Sequence, residues 1–258
     1  MGENIFSVRG LSFSYGKHQV LKDLDMDIPS GLVTTLIGAN GCGKSTLFSL
    51  MTKNLKPSAG EIRLADRSIS DMKIKEFARH VAIVHQYNTA PPDLSVEKLV
   101  SYGRTPYKSI GSHADTEKDE EKIRWAMEIT HTQKYRNKPV AELSGGQKQR
   151  VWIAMSLAQD TKVLFLDEPT TYLDIRYQLQ ILRLIRRLNR EYGITIIMVL
   201  HDINQSLYYS DHIIAMQDGR IMGNGKPEKI LTGDLVKAVY DVQLDVRSID
   251  GKPFVMPI

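Results

Sequence analysis

A compact β-rich run, Val33-Thr34-Thr35-Leu36-Ile37, leads directly into Gly38-Ala39-Asn40-Gly41-Cys42-Gly43-Lys44-Ser45. Thr46, Leu47, Leu50 and Met51 then recur at helical spacing. Strand, glycine loop and helix in that order is the frame that a phosphate loop requires. Glycines let the backbone turn so that successive N–H groups point at one anion, and the helix start adds the positive end of its dipole. Lys44 contributes a point charge and the Ser45 hydroxyl a candidate magnesium ligand. A chance Lys-Ser after a glycine-rich turn does not account for the strand before it and the helix after it.

The rest of the chain predicts an α/β fold around this loop. Residues 5–28 alternate short apolar stretches with polar turns, as an antiparallel β region does. Residues 81–84 read as a short strand ending at His85-Gln86, residues 162–166 and 194–200 as buried strands, and residues 179–188 as a helix. Strands alternating with helices imply a largely parallel sheet. From Tyr87 the character becomes proline-rich and then charged. A helix is expected over residues 117–130, with Ile123, Ala126, Met127 and Thr130 on one face and Glu117 to Lys122 as its solvated first turns. The expectation is one domain over residues 1–258. Residues 1–86 and 160–232 form the core with its β region, and residues 87–159 form an inserted helical subdomain. Residues 233–258 form an appendage of a short helix followed by alternating Val242, Leu244 and Val246. A chain of 258 residues, 42% hydrophobic, can bury such a core.

Val163-Leu164-Phe165-Leu166-Asp167-Glu168 supplies an acidic counterpart to the phosphate loop. An apolar strand delivers Asp167 to the sheet's carboxyl edge, where it can hold magnesium. Glu168, one residue on, can take a proton from an attacking water, a role worth about 10² to 10⁴ in rate. Taken alone, two solvated acids ending a strand is the blander alternative; the phosphate loop in the same chain weighs against it.

Leu143-Ser144-Gly145-Gly146-Gln147 carries two readings at once. Ser144 and Gln147 fit a capping box opening a helix, with Val151, Ala154, Met155 and Ala158 as its stripe. Capping does not explain Gly145 and Gly146, each of which costs ~1 kcal/mol relative to alanine within a helix. Adjacent glycines in a first turn suit a ligand that approaches the backbone closely, and a phosphate on bare N–H groups is the natural candidate.

With this motif lying between the phosphate loop and Asp167-Glu168, the chain resembles the ATP-binding cassette (ABC) family of transport ATPases over nearly its whole length. The resemblance implies a P-loop NTPase core of ABC type with an N-terminal antiparallel β region and an inserted helical subdomain. ATP and Mg2+ are the implied ligands. Residues 38–46 match the nucleotide-binding loop through Thr46, and Tyr15 matches the aromatic that stacks on adenine; a core aromatic of a strand is its alternative. Gln86 matches the glutamine that senses magnesium and the attacking water. Ser45, Gln86 and Asp167 are the implied metal residues, and Glu168, His201, Lys44 and Gln86 the implied catalytic ones. His201 matches the switch histidine that contacts the γ-phosphate, against the plainer alternative of a structural histidine. Thr171-Tyr172-Leu173-Asp174 matches a dimer-contacting loop, although the commoner family form begins with serine.

In the family, Ser144, Gly145, Gly146 and Gln147 face the phosphate loop of a second copy, so that two ATPs are sandwiched head to tail. Separate transmembrane permease subunits are implied as partners, with a substrate-binding protein acting indirectly, and a peripheral place on the cytoplasmic face of the cell membrane. Asp93-Leu94-Ser95-Val96-Glu97 and Tyr102-Gly103-Arg104-Thr105-Pro106-Tyr107 resemble the bacterial importers of iron–siderophores, haem and cobalamin. Iron–siderophore import ranks first and cobalamin or haem second. A non-transport ATPase of DNA repair or the ribosome ranks lower, since the insertion is too short for a long coiled coil and one cassette is present.

Composition narrows the remaining possibilities. A formal charge of +4 suits phosphate ligands and does not demand nucleic acid, which is not expected as a partner. The arginines among residues 183–190 interleave with leucine and isoleucine, as on a solvated helix face. A single cysteine, Cys42, excludes an intramolecular disulfide framework. No signal peptide is expected at the start, and the most apolar run, residues 194–200, is far below the ~20 residues that span a membrane. The six other histidines show no metal-ligand spacing.

Overall fold

The computed structural model describes residues 3–108, 116–249 and 252–256. Residues 109–115 of the expected insertion, and 250, 251, 257 and 258 of the expected appendage, lie outside the described residues. Two compact units emerge, one of Met1–Met72 with Thr195–Ile258 and one of Lys73–Ile194.

In the first unit, strands Asn4–Tyr15 and His18–Pro29 pair antiparallel, with Phe6 opposite Ile28 and Val8 opposite Met26. Phe6, Val8, Leu11, Leu21, Leu24, Met26 and Ile28 are buried from the alternating face, the period-2 pattern of a half-buried sheet. Strand Ala59–Leu64 and the short Arg67–Ser68 extend that sheet. Strand Val33–Gly38 is flanked on both sides by parallel neighbours, Thr195–Val199 and His212–Gln217. All six of its residues are buried, which is why it reads as a continuous run instead of an alternation. Arg220–Gly225 then pairs antiparallel with His212–Gln217.

The end of this unit is more elaborate than a helix and one alternating run. Two helices, Pro227–Ile230 and Gly233–Tyr240, precede an antiparallel hairpin of Asp245–Ile249 with Lys252–Met256. Val246 pairs with Val255 inside that hairpin, whereas Val242 stays half-exposed before it. Leu207, Leu231, Val236 and Val255 form a small core beneath, so the helix Ile203–Tyr209 and the hairpin share one apolar cluster.

In the second unit, Val81–Val84 lies parallel to Val163–Asp167. The helices are Ile74–Phe77, Val96–Ser101, Thr116–Ile129, Gly145–Ala158 and Ile175–Tyr192. The helix expected over residues 179–188 begins earlier because Asp174 caps it, accepting from the Tyr177 amide at 3.0 Å, and ends where Gly193 turns left-handed at φ 65°. Three expectations need correction here. Helix Gly145–Ala158 is buried nearly all round beyond Val151, so its stripe of four is too narrow, and Met155 is only half-buried. Asp119 is not a solvated first-turn acid: it takes a 2.7 Å bond from the Arg104 Nε, and Arg104 is 2% exposed. Arg187 does not simply face solvent, since it donates to the Ile129 carbonyl at 2.8 Å.

Candidate functional site

The phosphate loop stands at the end of the buried strand Val33–Gly38 and opens helix Lys44–Met51. Its glycines are there for different reasons. A Cβ on Gly38 would meet the Met216 carbonyl at 2.4 Å and Cys42 Sγ at 2.6 Å, and one on Gly43 would meet Leu21 at 2.7 Å. Gly41 has open space around it but a φ of +80°, a conformation side chains resist. Lys44 is buried and folds into its own loop, donating to the carbonyls of Gly38 at 2.8 Å and Ala39 at 2.9 Å. Cys42 Sγ lies 3.8 Å from the same amine, and the Cys42 carbonyl accepts from the Gly219 amide at 3.0 Å. Asn40, Gly41 and Ser45 are exposed, Ala39 half-buried and Thr46 buried. One positive centre thus sits inside a turn of backbone amides, with the Ser45 hydroxyl at the helix start: a cradle for an anion.

Strand Val163–Asp167 ends in the second element. Glu168 turns left-handed at φ 48°, costly for a residue with a side chain. Its carboxylate is held at one oxygen from two sides: Gln86 Nε2 donates to Oε2 at 2.6 Å and Thr171 Oγ1 at 3.0 Å. Gln86 and Glu168, each given its own role from sequence, are therefore in direct contact. Thr171 joins them. The hydroxyls of Tyr87 and Tyr172 meet at 2.9 Å, linking the residues just beyond each partner, and that bond to Tyr172 raises the Tyr87 pKa. Both rings are exposed.

The third element is the start of helix Gly145–Ala158. Ser144 and Gln147 form the expected capping box, with Gln147 Oε1 accepting from the Ser144 amide at 3.0 Å. Gln147 Nε2 goes on to the Tyr135 hydroxyl at 2.9 Å, which fixes the amide's orientation. The two glycines divide. A Cβ on Gly146 would strike the Tyr177 side chain at 2.5 Å, so packing alone requires glycine there. A Cβ on Gly145 would meet only Leu173, at an ordinary 3.6 Å, and Gly145 is exposed. The space that suits a close ligand is plainest at Gly145, while Gly146 has a packing reason of its own to be glycine.

Tyr15 ends its strand 54% exposed, edge-on to buried Phe13 with centroids 4.8 Å apart. It is a surface ring and not the core aromatic that was the alternative. His201 is exposed just before helix Ile203–Tyr209, whose first turn Asp202 caps by accepting from Gln205 N at 2.8 Å. No group of three or more metal-ligating residues of the His, Cys, Asp and Glu types occurs among the described residues. Arg104, within the stretch resembling siderophore importers, is an internal fastener: besides Asp119 it donates to the Ala158 carbonyl at 2.9 Å and lies 4.1 Å over the Tyr107 ring. Gly103 beside it has no room for a Cβ, which would meet the Met155 carbonyl at 2.1 Å.

A phosphate loop, a held glutamate and a glycine-opened helix start are a set that known proteins share. The family model of the ABC transporter matches residues 21–171, more than half of the chain. The chain belongs to the ABC transporter family. It is an ATP-binding ATPase of that family. It is 44% identical to the iron(3+)-hydroxamate import ATP-binding protein FhuC of Bacillus subtilis (strain 168), over 94% of this chain and 90% of that protein. To the ferric enterobactin transport ATP-binding protein FepC of Escherichia coli (strain K12) it is 40% identical, over 100% and 96% respectively. Among solved structures, cbiO1 from Clostridium perfringens, part of the ABC transporter complex cbiONQ, matches with a TM-score of 0.78 at 34% identity, covering 88% of this chain and 90% of that one. No helix among the described residues is long and apolar enough to cross a membrane.

Within this cassette, sequence reasoning missed Thr171 on Glu168, Tyr177 behind Gly146, and the Tyr240 hydroxyl, which accepts from the Gly38 amide at 3.2 Å. Thr171 had a signal, standing three residues beyond the glutamate. The tyrosines had none, because their partners are fixed only by the fold.

Proposed function

We propose that this cassette is the ATP-hydrolysing subunit of a bacterial importer, powering uptake of an iron–siderophore complex through a separate permease from the cytoplasmic face of the membrane. The grip of Gln86 and Thr171 on one oxygen of Glu168 carries the chemistry. Glu168 accepts the proton of the attacking water, while Gln86 and Thr171 orient its carboxylate. Lys44 and the amides of residues 38–46 hold the phosphates, Tyr15 stacks on adenine, and His201 contacts the γ-phosphate. Magnesium falls to Ser45, Asp167 and the side-chain oxygen of Gln86, hard oxygen donors of the class it takes. The fit is good at Gln86, whose NH2 is already spent on Glu168. When bound, the metal neutralises charge on the β- and γ-phosphates.

Ser144, Gly145, Gly146 and Gln147 serve the ATP of a second copy in a head-to-tail dimer. Each chain already has one phosphate cradle, and the open amide at Gly145 faces no phosphate of its own loop in this scheme. The cargo assignment rests on near-full-length likeness to proteins of iron–hydroxamate and ferric enterobactin import. The test is purification from membranes with the permease, followed by reconstitution into vesicles. ATP-dependent uptake of a labelled ferric hydroxamate, with none of cobalamin or haem, is expected. Uptake of cobalamin or haem alone would reassign the cargo, and co-purification with ribosomes or DNA in place of a membrane protein would end the transport reading.

A further inference from the structure

We propose that Tyr240 is a positioning residue for the phosphate loop, and that the C-terminal segment carrying it ties that loop to the helix following His201. The proposal rests on residues 38–45 being the nucleotide cradle.

Gly38 is the last residue of its strand to pair in register, opposite Met216, so its amide stands where the ladder ends and the loop begins. A buried amide at such a point needs an acceptor. The Tyr240 hydroxyl supplies it at 3.2 Å. No other side chain at this position is needed to fill space: the packing of Gly38 is already closed by Met216 and Cys42. Burial, with smaller contributions from Cys42 and Asp202, pushes the Tyr240 pKa up to about 12, against the lowering effect of the Gly38 bond. The hydroxyl therefore stays neutral at working pH.

The ring of Tyr240 belongs to two apolar clusters at once. One is Ile37, Ile213, Ala215 and Val239, beneath the strand that feeds the loop. The other is Leu207, Leu231, Val236 and Val255, joining helix Ile203–Tyr209 to the hairpin. Asn204 fastens that helix to the hairpin as a strand neighbour would. Its Nδ2 donates to the Val255 carbonyl at 2.9 Å and its Oδ1 accepts from the Val255 amide at 2.8 Å. Asn204 is three residues beyond His201. A shift of that helix is thus transmitted through the hairpin cluster to the ring whose hydroxyl holds the loop's first amide. A plain packing role would need the ring and not the hydroxyl, and would leave the paired bonds of Asn204 unexplained.

Tyr240→Phe keeps the ring in both clusters and removes only the hydroxyl. In the full chain, titration with a fluorescent ATP analogue and steady-state ATPase assays should show Kd and KM for nucleotide rising about three- to tenfold, the scale of one lost hydrogen bond, with kcat nearly unchanged. Amide exchange at Gly38 should accelerate in the same variant. Asn204→Ala should expose the hairpin to limited proteolysis and raise KM in the same direction, and the double variant should be no worse than the worse single one. Wild-type affinity with wild-type protection at Gly38 in Tyr240→Phe would overturn the positioning role. A fall in kcat with KM unmoved would overturn it equally. A protease-sensitive Asn204→Ala with unchanged KM would overturn the link through the hairpin. If the wild-type chain itself bound no nucleotide, the cradle assignment would fail instead, and exchange at Gly38 would still decide whether the hydroxyl holds the loop.

Discussion

The phosphate loop and the start of helix Gly145–Ala158 are both glycine-bearing helix openings, yet they are built in opposite ways. The first is held from within and behind: Lys44 bonds its own loop carbonyls, Gly38 and Gly43 have no space for a Cβ, and Tyr240 takes the entry amide. The second is held at its side chains, by the Ser144–Gln147 box and the Gln147–Tyr135 bond, with Gly146 closed against Tyr177 and Gly145 open. A cradle that satisfies its own groups is ready for a ligand before any arrives. A capped helix end with one bare amide offers much less, and makes sense as one side of a site completed by another molecule.

The largest expected effect separates binding from chemistry across both openings. Glu168→Gln should lower turnover by about 10² to 10⁴, the worth of a positioned base, while leaving ATP affinity intact. With both helix starts unaltered, the variant should accumulate as an ATP-bound dimer, seen by size-exclusion chromatography with light scattering. A variant that binds ATP but stays monomeric would break the comparison, since the second opening would then hold no nucleotide. Near-normal hydrolysis would remove Glu168 as the base.

Much of the fold and of the site was legible beforehand because it is written in local pattern. Residues 33–45 declare strand, loop and helix through apolar run, glycine and helical spacing, and Asp167-Glu168 declares itself as the end of a buried run. What was hidden depends on contacts distant in sequence. Gly146 reads like Gly145 until Tyr177, 31 positions away by residue number, is found against it. Arg104 reads only as part of a stretch resembling the importers until Asp119 and the Ala158 carbonyl are seen to enclose it. The hairpin Asp245–Ile249 with Lys252–Met256 has no strong alternation of its own, because only the Val246–Val255 pair turns towards the small core.

The two signature glycines test the comparison more finely. Gly146→Ala should force Tyr177 to move and cost about 1 to 3 kcal/mol, visible as a lower melting temperature. Gly145→Ala has room, at 3.6 Å from Leu173, and removes a glycine from a helix's first turn, a gain of up to ~1 kcal/mol. It should therefore melt no lower than wild type and bind ATP as a monomer normally. Its turnover should nevertheless fall, by up to about 10² to 10³, because the added methyl group bars a phosphate from the backbone amide, with the effect of losing one donor to a reacting oxyanion. Equal loss of stability in both variants would mean that Gly145 is also a packing glycine, and the open amide would lose its meaning.

The smallest expected effect concerns the platform of the phosphate loop alone. His212 lies opposite Thr34 on the strand beside Val33–Gly38, and its pKa is lowered because burial disfavours the charged ring. Neither His212 Nδ1 nor Thr34 Oγ1 has a hydrogen-bond partner among the described residues, so a proton added at Nδ1 would gain no bond there. The unfolded chain, with an ordinary histidine near 6.5, binds this proton more readily than the folded one. Stability from the neutral ring is accordingly complete above about 6.5 and is lost as pH falls from there through the lowered folded value. Urea midpoints of the wild type should drop between pH 7.5 and 5.5, and His212→Phe should drop less. A parallel decline in both proteins would place the acid sensitivity elsewhere. A reduced decline in the variant would locate it under the self-contained opening, leaving the Ser144 helix start, which has no such buried base, indifferent to the same change of pH.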